Sequence, residues 1–320
     1  MIAPFLLYTL AALSHAPYGV TANGEQVDVF TLRSQTGMVV RLLTYGGVIT
    51  EISVSDRKGT LANVVVALPD LKEYEAHPNF SSLLGRFANR IADGGFTLDG
   101  VRYDLPSNAQ GISSHGGPGG FGTRVWHAEP VKDGVALSYE SADGENGYPG
   151  RLSVTVKYLL TDTLRLQYTA RTDQPTVVNL SHHVYFNLAG SDSVLGESLQ
   201  VFADRYTVFD ARKVPTGEIA PVAGTALDFR RPRVLSDFSL DHNFVLHHSR
   251  AVRLEDPASG RRLEIRTTQP GLQVFTGRKA GIALETQHFP NSPNQPGFPS
   301  TVLRPGHVFR AETEYRFSVF

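Results

Sequence analysis

The chain has 320 residues and a mass of 34.9 kDa, with 30 basic against 31 acidic residues and a formal net charge of −1. That balance argues against nucleic acid as a partner, which calls for a basic excess or stripe; 41% hydrophobic and only 19% charged residues argue against disorder. The absence of cysteine removes disulfides, thiolate metal sites and a cysteine nucleophile, and it leaves the redox compartment open.

From Ile2 to Leu13 the chain is almost wholly apolar, far short of the ~20 residues that span a bilayer. Ser14-His15-Ala16 places small residues three and one before a cut, as in a secretory leader, yet no Lys or Arg precedes the run. Residues 1–16 therefore read either as a leader or disordered N-terminal segment, or as a first strand. Residues 17–320 read as one domain. The sequence leaves the compartment open: cytoplasmic, or exported if residues 1–16 are a cleaved leader. No other segment approaches membrane-spanning length, so no membrane partner is expected.

Most of the remaining chain alternates at period two, the signature of strands with one buried face. Val27 to Leu32 and Met38 to Leu43 form a hairpin around Ser34 to Gly37. Leu71 to Ala76 is the one short helix, stopped before Pro78. Phe96-Thr97-Leu98 and Val101-Arg102-Tyr103 flank Asp99-Gly100, a strong hairpin-turn pair. Leu152, Val154, Val156, Tyr158 and Leu160 alternate up to Thr161-Asp162-Thr163, and Leu164, Leu166, Tyr168 and Ala170 alternate after it. Val252 to Leu254 and Leu263 to Ile265 make another hairpin, and Phe309 to Val319 alternates to the C-terminus. The 30 Gly and 19 Pro supply the turns, and no repeat of 20–50 residues points to a propeller or solenoid. The fold class is all-β: a single large antiparallel β-sandwich.

Polar residues crowd into segments that break this pattern, and function is best sought there. They are Gly85 to Ala92, Ser113 to Gly122, Asn179 to Leu188 and Ala283 to Pro290 with Asn294-Gln295-Pro296; Asp241-His242-Asn243-Phe244 is weaker. Gly117-x-Gly119-x-x-Gly122 matches a dinucleotide fingerprint in form only, because Val125-Trp126-His127 after it reads as strand, not helix. Asn179, His183, Tyr185 and Asn187 share one parity; a strand face of such groups is costly to bury without partners, and a sugar would supply them. Glu285 ends the apolar run Ile282-Ala283-Leu284, where a carboxylate either finds a structural partner or serves as a base of raised pKa. Adjacent His182 and His183 are poorly placed to share a metal, and neither a metal-ligand spacing nor a serine elbow is present.

Taken together, these segments resemble the aldose 1-epimerase (galactose mutarotase) family from about Tyr18 to Phe320. The resemblance rests on Gly85-Arg-x-Ala-Asn-Arg-Ile, Ser114-His-Gly-Gly, Asn179-Leu-Ser-x-His-x-Tyr-Phe-Asn-Leu, Asp241-His-Asn-Phe and Leu284-Glu-Thr-Gln, in that order, and on the tail Asn294-Gln-Pro-x-Phe-Pro-Ser-x-x-Leu-Arg-Pro-Gly. It implies a large antiparallel β-sandwich that interconverts the α and β anomers of free hexoses such as galactose and glucose, with no cofactor and no metal. It implies Glu285 as catalytic base, His183 as catalytic acid and His115 as a second site histidine, with Asn89, Arg90, Asp241 and Gln273 contacting sugar hydroxyls. The expected partner is a small sugar, and the expected assembly a monomer or homodimer. A hexose-6-phosphate epimerase, which would need a cationic phosphate pocket, and a non-catalytic sugar-binding protein are the alternatives. A glycoside hydrolase fits less well, since it usually needs two carboxylates flanking the bond. Two departures stand out: His182 occupies a position where the family usually has Asn, and Thr276 to Gly281 is shorter than in most relatives.

Overall fold

Alternating apolar residues have one way to leave water, which is to share a face of a sheet and press it against another. In the computed structural model, which describes residues 12–236 and 239–320, Leu152–Leu160 pairs antiparallel with Leu164–Thr172 and buries Leu152, Val154, Val156, Tyr158 and Leu160. This hairpin lies inside a nine-stranded sheet that also holds Gly134–Ser141, Phe309–Val319, Arg261–Thr267 and Arg250–Glu255. A six-stranded sheet runs in the order Tyr185–Phe186, Gly281–Gln287, Gly271–Arg278, Asp241–Val245, Arg205–Phe209, Pro215–Pro221. A five-stranded sheet runs in chain order from Ala12–Val20 to Leu61–Asn63.

One core joins all three sheets. It includes Leu32 and Val40 from the five-stranded sheet, Leu166 and Tyr315 from the nine-stranded sheet, and Val274, Ile282 and Leu284 from the six-stranded sheet. The molecule is thus an antiparallel β-sandwich, as its periodicity demands. The turn at Asp99-Gly100 has φ of 51° and 81°, the doubly positive geometry that suits a two-residue hairpin. The helix is Leu71–Ala76; Asp70 caps it by accepting a hydrogen bond from the Glu73 N–H at 3.0 Å, and Leu71 and Tyr74 are its buried residues.

Within the segment read as leader or first strand, Ala12 to Ala16 pair with Val29 to Arg33, while residues 1–11 lie outside the described residues. Among the described residues no helix is long and apolar enough to cross a membrane. The glycine-rich segment forms a tight loop ending in the 3-10 turn Phe121–Thr123, without the strand and helix that a dinucleotide fingerprint requires. Gly116 is obligatory there: its φ is 86°, and a Cβ would sit 1.9 Å from the Gly85 carbonyl oxygen.

Candidate active site

The register of the six-stranded sheet explains how distant residues meet. Ile282 and Leu284 point into the inter-sheet core, so alternation turns Ala283 and Glu285 to the outer face. Glu285 pairs with Gln273, and Gln273 pairs with Asn243, which makes one lateral row. One step along, Tyr185, Ala283, Phe275 and Asp241 make a second row. The outer face therefore gathers side chains as far apart in sequence as Tyr185 and Glu285.

Loops close over these rows. Ser114 pairs with Arg90 across a two-residue ladder. Asn89 and His115, both at positive φ (63° and 50°), clasp each other: the Asn89 N–H donates to His115 Nδ1 at 3.2 Å, and the His115 N–H donates to the Asn89 carbonyl at 2.9 Å. The His115 ring then lies 5.5 Å from that of His183, edge on. His183 Nε2 is 3.5 Å from Glu285 Oε1. Arg90 pairs with Asp241 at 3.1 Å, and Gln273 Nε2 donates to the other Asp241 oxygen at 2.6 Å. All seven residues singled out from the sequence, Asn89, Arg90, His115, His183, Asp241, Gln273 and Glu285, thus meet in one cleft.

Burial sets the charge states. Glu285 is 2% exposed and His183 8%. Burial, aided by the Asp241 charge and opposed by Arg90, pushes the Glu285 carboxyl up to about 8. Burial depresses the His183 imidazole to about 4, and burial also holds His115 well below the ordinary imidazole range. Between those values the Glu285–His183 pair carries one proton. It can be held as carboxylic acid and neutral imidazole or, by a transfer across the 3.5 Å contact, as carboxylate and imidazolium. Glu285 Oε2 and Asn89 Oδ1 are buried with no partner in the protein, two acceptors free for a hydroxyl-bearing ligand.

Several sequence expectations need correction. Asn179 to Leu188 is not one strand; it breaks into the two-residue stretches Ser181–His182 and Tyr185–Phe186, each paired to a different sheet. Asn179 Nδ2 donates to the Ala88 and His288 carbonyls, and Asn187 Nδ2 to those of Ser191 and Ala280. Their polar groups are answered by backbone, not by a ligand. His182 turns away from the cleft, with Nε2 3.0 Å from the Gly47 carbonyl and its ring edge-on to Tyr158. Arg86, inside the first polar segment, is likewise structural, donating to Ser141, Ala142 and Pro149.

Sequence reasoning named Tyr185 but missed the aromatic wall it belongs to. Tyr185 lies 4.8 Å from the His183 ring, Phe275 crosses it edge-on at 6.2 Å, and Phe80 stacks on Tyr185. The Arg278 guanidinium caps that stack, 4.9 Å from the Phe80 centroid and 5.7 Å from that of Tyr185. Parity was the available signal for Phe275 alone, which lies two residues beyond Gln273 on the same strand. Among the described residues, no three His, Asp or Glu side chains group as a metal site.

Comparison with known proteins identifies the family and the fold. The sequence model of the family described as Aldose 1-epimerase matches residues 28–316. The chain is 40% identical to galactose mutarotase of Sus scrofa, covering 97% of this chain and 100% of the relative, and equally so to the Homo sapiens protein. It is 33% identical to aldose 1-epimerase of Escherichia coli strain K12, covering 92% and 96%. Among solved structures, galactose 1-epimerase from Lactobacillus acidophilus superposes with a TM-score of 0.86 at 28% identity, covering 97% and 99%. An aldose epimerase homologue from C. elegans superposes with a TM-score of 0.86 at 26% identity, covering 96% and 99%.

Proposed function

Because this chain belongs to the aldose 1-epimerase family and is an isomerase of that class, we propose that it interconverts the α and β anomers of free hexoses, galactose and glucose, with Glu285 and His183 as its base and acid. The observation that carries the assignment is the 3.5 Å contact between His183 Nε2 and Glu285 Oε1. The hydroxyl oxygen and ring oxygen of a hemiacetal are both bonded to C1, so the groups that serve them must be neighbours themselves.

Glu285, as carboxylate, takes the proton of the C1 hydroxyl. The C1–O5 bond breaks with its electron pair going to O5, and His183, as imidazolium, protonates O5. The product is the open-chain aldehyde. Rotation about C1–C2 presents the other face of the carbonyl; His183 then removes the O5 proton as O5 attacks C1, and Glu285 returns its proton to the new C1 hydroxyl. Protons and electrons balance and no oxidant is consumed, so acid–base groups suffice without a cofactor. Such catalysis contributes typically ~10²–10⁴-fold.

Asn89, Arg90, Asp241 and Gln273 hold the ring hydroxyls, and the Arg90–Asp241–Gln273 chain fixes their orientation in advance. His115, neutral and anchored by the Asn89 N–H, offers a further hydrogen-bonding edge beside His183. The test is anomer exchange of freshly dissolved α-galactose and α-glucose, followed by polarimetry. A rate no faster than the spontaneous one overturns the proposal, as does full activity in Glu285→Gln.

A further inference from the structure

Strand alternation alone would turn Arg278 away from the cleft. Gln273 and Phe275 stand on the outer face, so Arg278, three residues beyond Phe275, has the parity of Val274 and the core. A register shift between Phe275 and Arg278 reverses this: Phe275 pairs with Ala283, but Arg278 pairs with Gly281. Gly281 keeps the parity of Ala283 and Glu285, so the bulge carries Arg278 onto the cleft face. Gly281 marks the same face independently, because a Cβ there would lie 2.9 Å from that of Tyr185. Bulges beside active sites re-aim side chains in this way.

The Arg278 guanidinium lies over the Phe80 and Tyr185 rings, and the residue is exposed. Among the described residues no carboxylate forms an ion pair with it. A ring face answers a guanidinium only in part; its N–H edge stays available to a carboxylate or a phosphoryl group. Behind burial, the Arg278 charge helps to depress the His183 imidazole, so it is felt inside the cleft. The cleft thus has two unlike ends. At one, Asp241 neutralises Arg90 and accepts from Gln273. At the other, Tyr185 and Phe275 flank His183, and the cation at their rim has no counter-ion.

The chemistry of the substrate decides which of its groups meets that second end. On the acid–base reading above, on which this inference rests, Glu285 serves the C1 hydroxyl and His183 serves O5. In an aldohexopyranose O5 is bonded to C1 and to C5, and C5 carries C6. The C6 group therefore leaves the ring from the O5 side, toward the residues that flank His183. Glu285 and Gly281 are four residues apart on one strand, roughly 13 Å at ~3.3 Å per residue, and Arg278 stands opposite Gly281. A group that extends from C6, rather than the ring itself, is what spans the cleft to the guanidinium.

We propose that Arg278 is a specificity-determining residue of the anomer-exchange cleft and recognises an anionic group on C6 of the aldose. The carboxylate of a hexuronate and the phosphoryl group of a hexose 6-phosphate share this chemistry, and either makes a charged aldose a substrate beside the free hexoses.

The test is isothermal titration calorimetry of the full chain with anomerically equilibrated glucose, glucuronate and glucose 6-phosphate, and with glucose 1-phosphate. Equilibrated sugars report binding whether or not the chain turns them over. Failure of this inference is thus distinct from failure of the acid–base reading, which anomer exchange of free glucose tests. At least one of glucuronate and glucose 6-phosphate is expected to bind ~10-fold or more tightly than glucose, and the stronger of the two identifies the anion. Arg278→Gln should abolish that advantage, and Arg278→Lys, which keeps the charge without the fork, should keep part of it. Glucose 1-phosphate, with its charge at the other end of the ring, should gain nothing from Arg278. The proposal is overturned if neither C6 anion binds more tightly than glucose, or if the advantage survives Arg278→Gln. It is equally overturned if Arg278→Gln weakens glucose as much as the anionic sugars, or if glucose 1-phosphate binds as tightly as they do.

Discussion

Glu285 and Glu197 are the same residue in nearly the same state, placed in two different regions. They are 2% and 1% exposed, and burial pushes each carboxyl up to about 8. Each has one oxygen with no hydrogen-bond partner. Around Glu197 the other oxygen accepts the Ala189 N–H, and Asp256 adds repulsion, but among the described residues no histidine pairs with it. Around Glu285 stand His183 at 3.5 Å, Gln273 beside it in the sheet, and the Arg90–Asp241 pair. A raised pKa therefore reports burial in both places. On the proposed mechanism, what separates the reacting carboxyl from the structural one is a proton partner within reach and a cleft lined for a substrate.

The sharpest way to break this comparison is to make both carboxyls into amides. Glu285→Gln should lower kcat for anomer exchange by ~10²–10⁴-fold, as expected for removal of a general base. Glu197→Gln should leave kcat near that of the parent chain. In Glu285→Gln/His183→Asn the losses should be far from additive, because the two groups act on one proton inventory. Equal activity losses from the two Glu→Gln changes would show that the surroundings of Glu285 do not set it apart from Glu197.

The same pair of variants sharpens the comparison through stability. A carboxyl whose folded pKa is raised costs stability as pH climbs above its unfolded value, and the penalty grows until the folded pKa is reached. For Glu197 that window runs from the ordinary carboxyl value to about 8, and over it the penalty is of order several kcal/mol. Thermal melts should therefore show Glu197→Gln gaining on the parent chain between pH 5 and pH 8.5, whatever the fixed effect of the amide. A Tm difference that does not change with pH would remove the buried-carboxyl account of Glu197.

A pH profile of kcat/KM separates the regions again. On the proposed mechanism the Glu285–His183 pair needs one proton: below about 4 both groups are protonated and the base is lost, and above about 8 both are deprotonated and the acid is lost. The profile should be bell-shaped between those limits. Asp241 favours the protonated form of both groups, so Asp241→Asn should move both limbs to lower pH. An unmoved upper limb in that variant would detach Asp241 from the electrostatics of the pair.

Much of this was legible in the chain because it is periodic. The hairpins at 27–43, 96–103, 152–170 and 252–265 sit where alternation and turn residues put them. Asn179 to Leu188 was misread because it is buried on every side; parity carries information only where one face meets water. The neighbour relations of Gln273 with Glu285 and of Asn243 with Gln273 come from sheet register, which no local pattern encodes. For the same reason the wall of Phe80, Tyr185 and Arg278 stayed hidden: its members become neighbours only once the six-stranded sheet and the loop before Leu83 are in place.

The smallest effect belongs to His182, adjacent to His183 and opposite to it in role. Both rings are buried, and burial pushes His182 down to about 3, close to the value for its neighbour. Yet its Nε2 meets the Gly47 carbonyl and its ring packs against Tyr158, which is itself hydrogen-bonded to Gly47. It cannot reach the cleft without unpacking the core. His182→Asn should therefore keep kcat within ~10-fold, well short of the loss expected for a general acid. It should cost ~1–3 kcal/mol in chemical denaturation, for the shortened side chain and the weakened bond to Gly47. The pH limbs should stay where they are, since a neutral ring facing away contributes little field to the pair. Activity lost in His182→Asn as deeply as in His183→Asn, at equal folded fraction, would mean that the two histidines act as one unit.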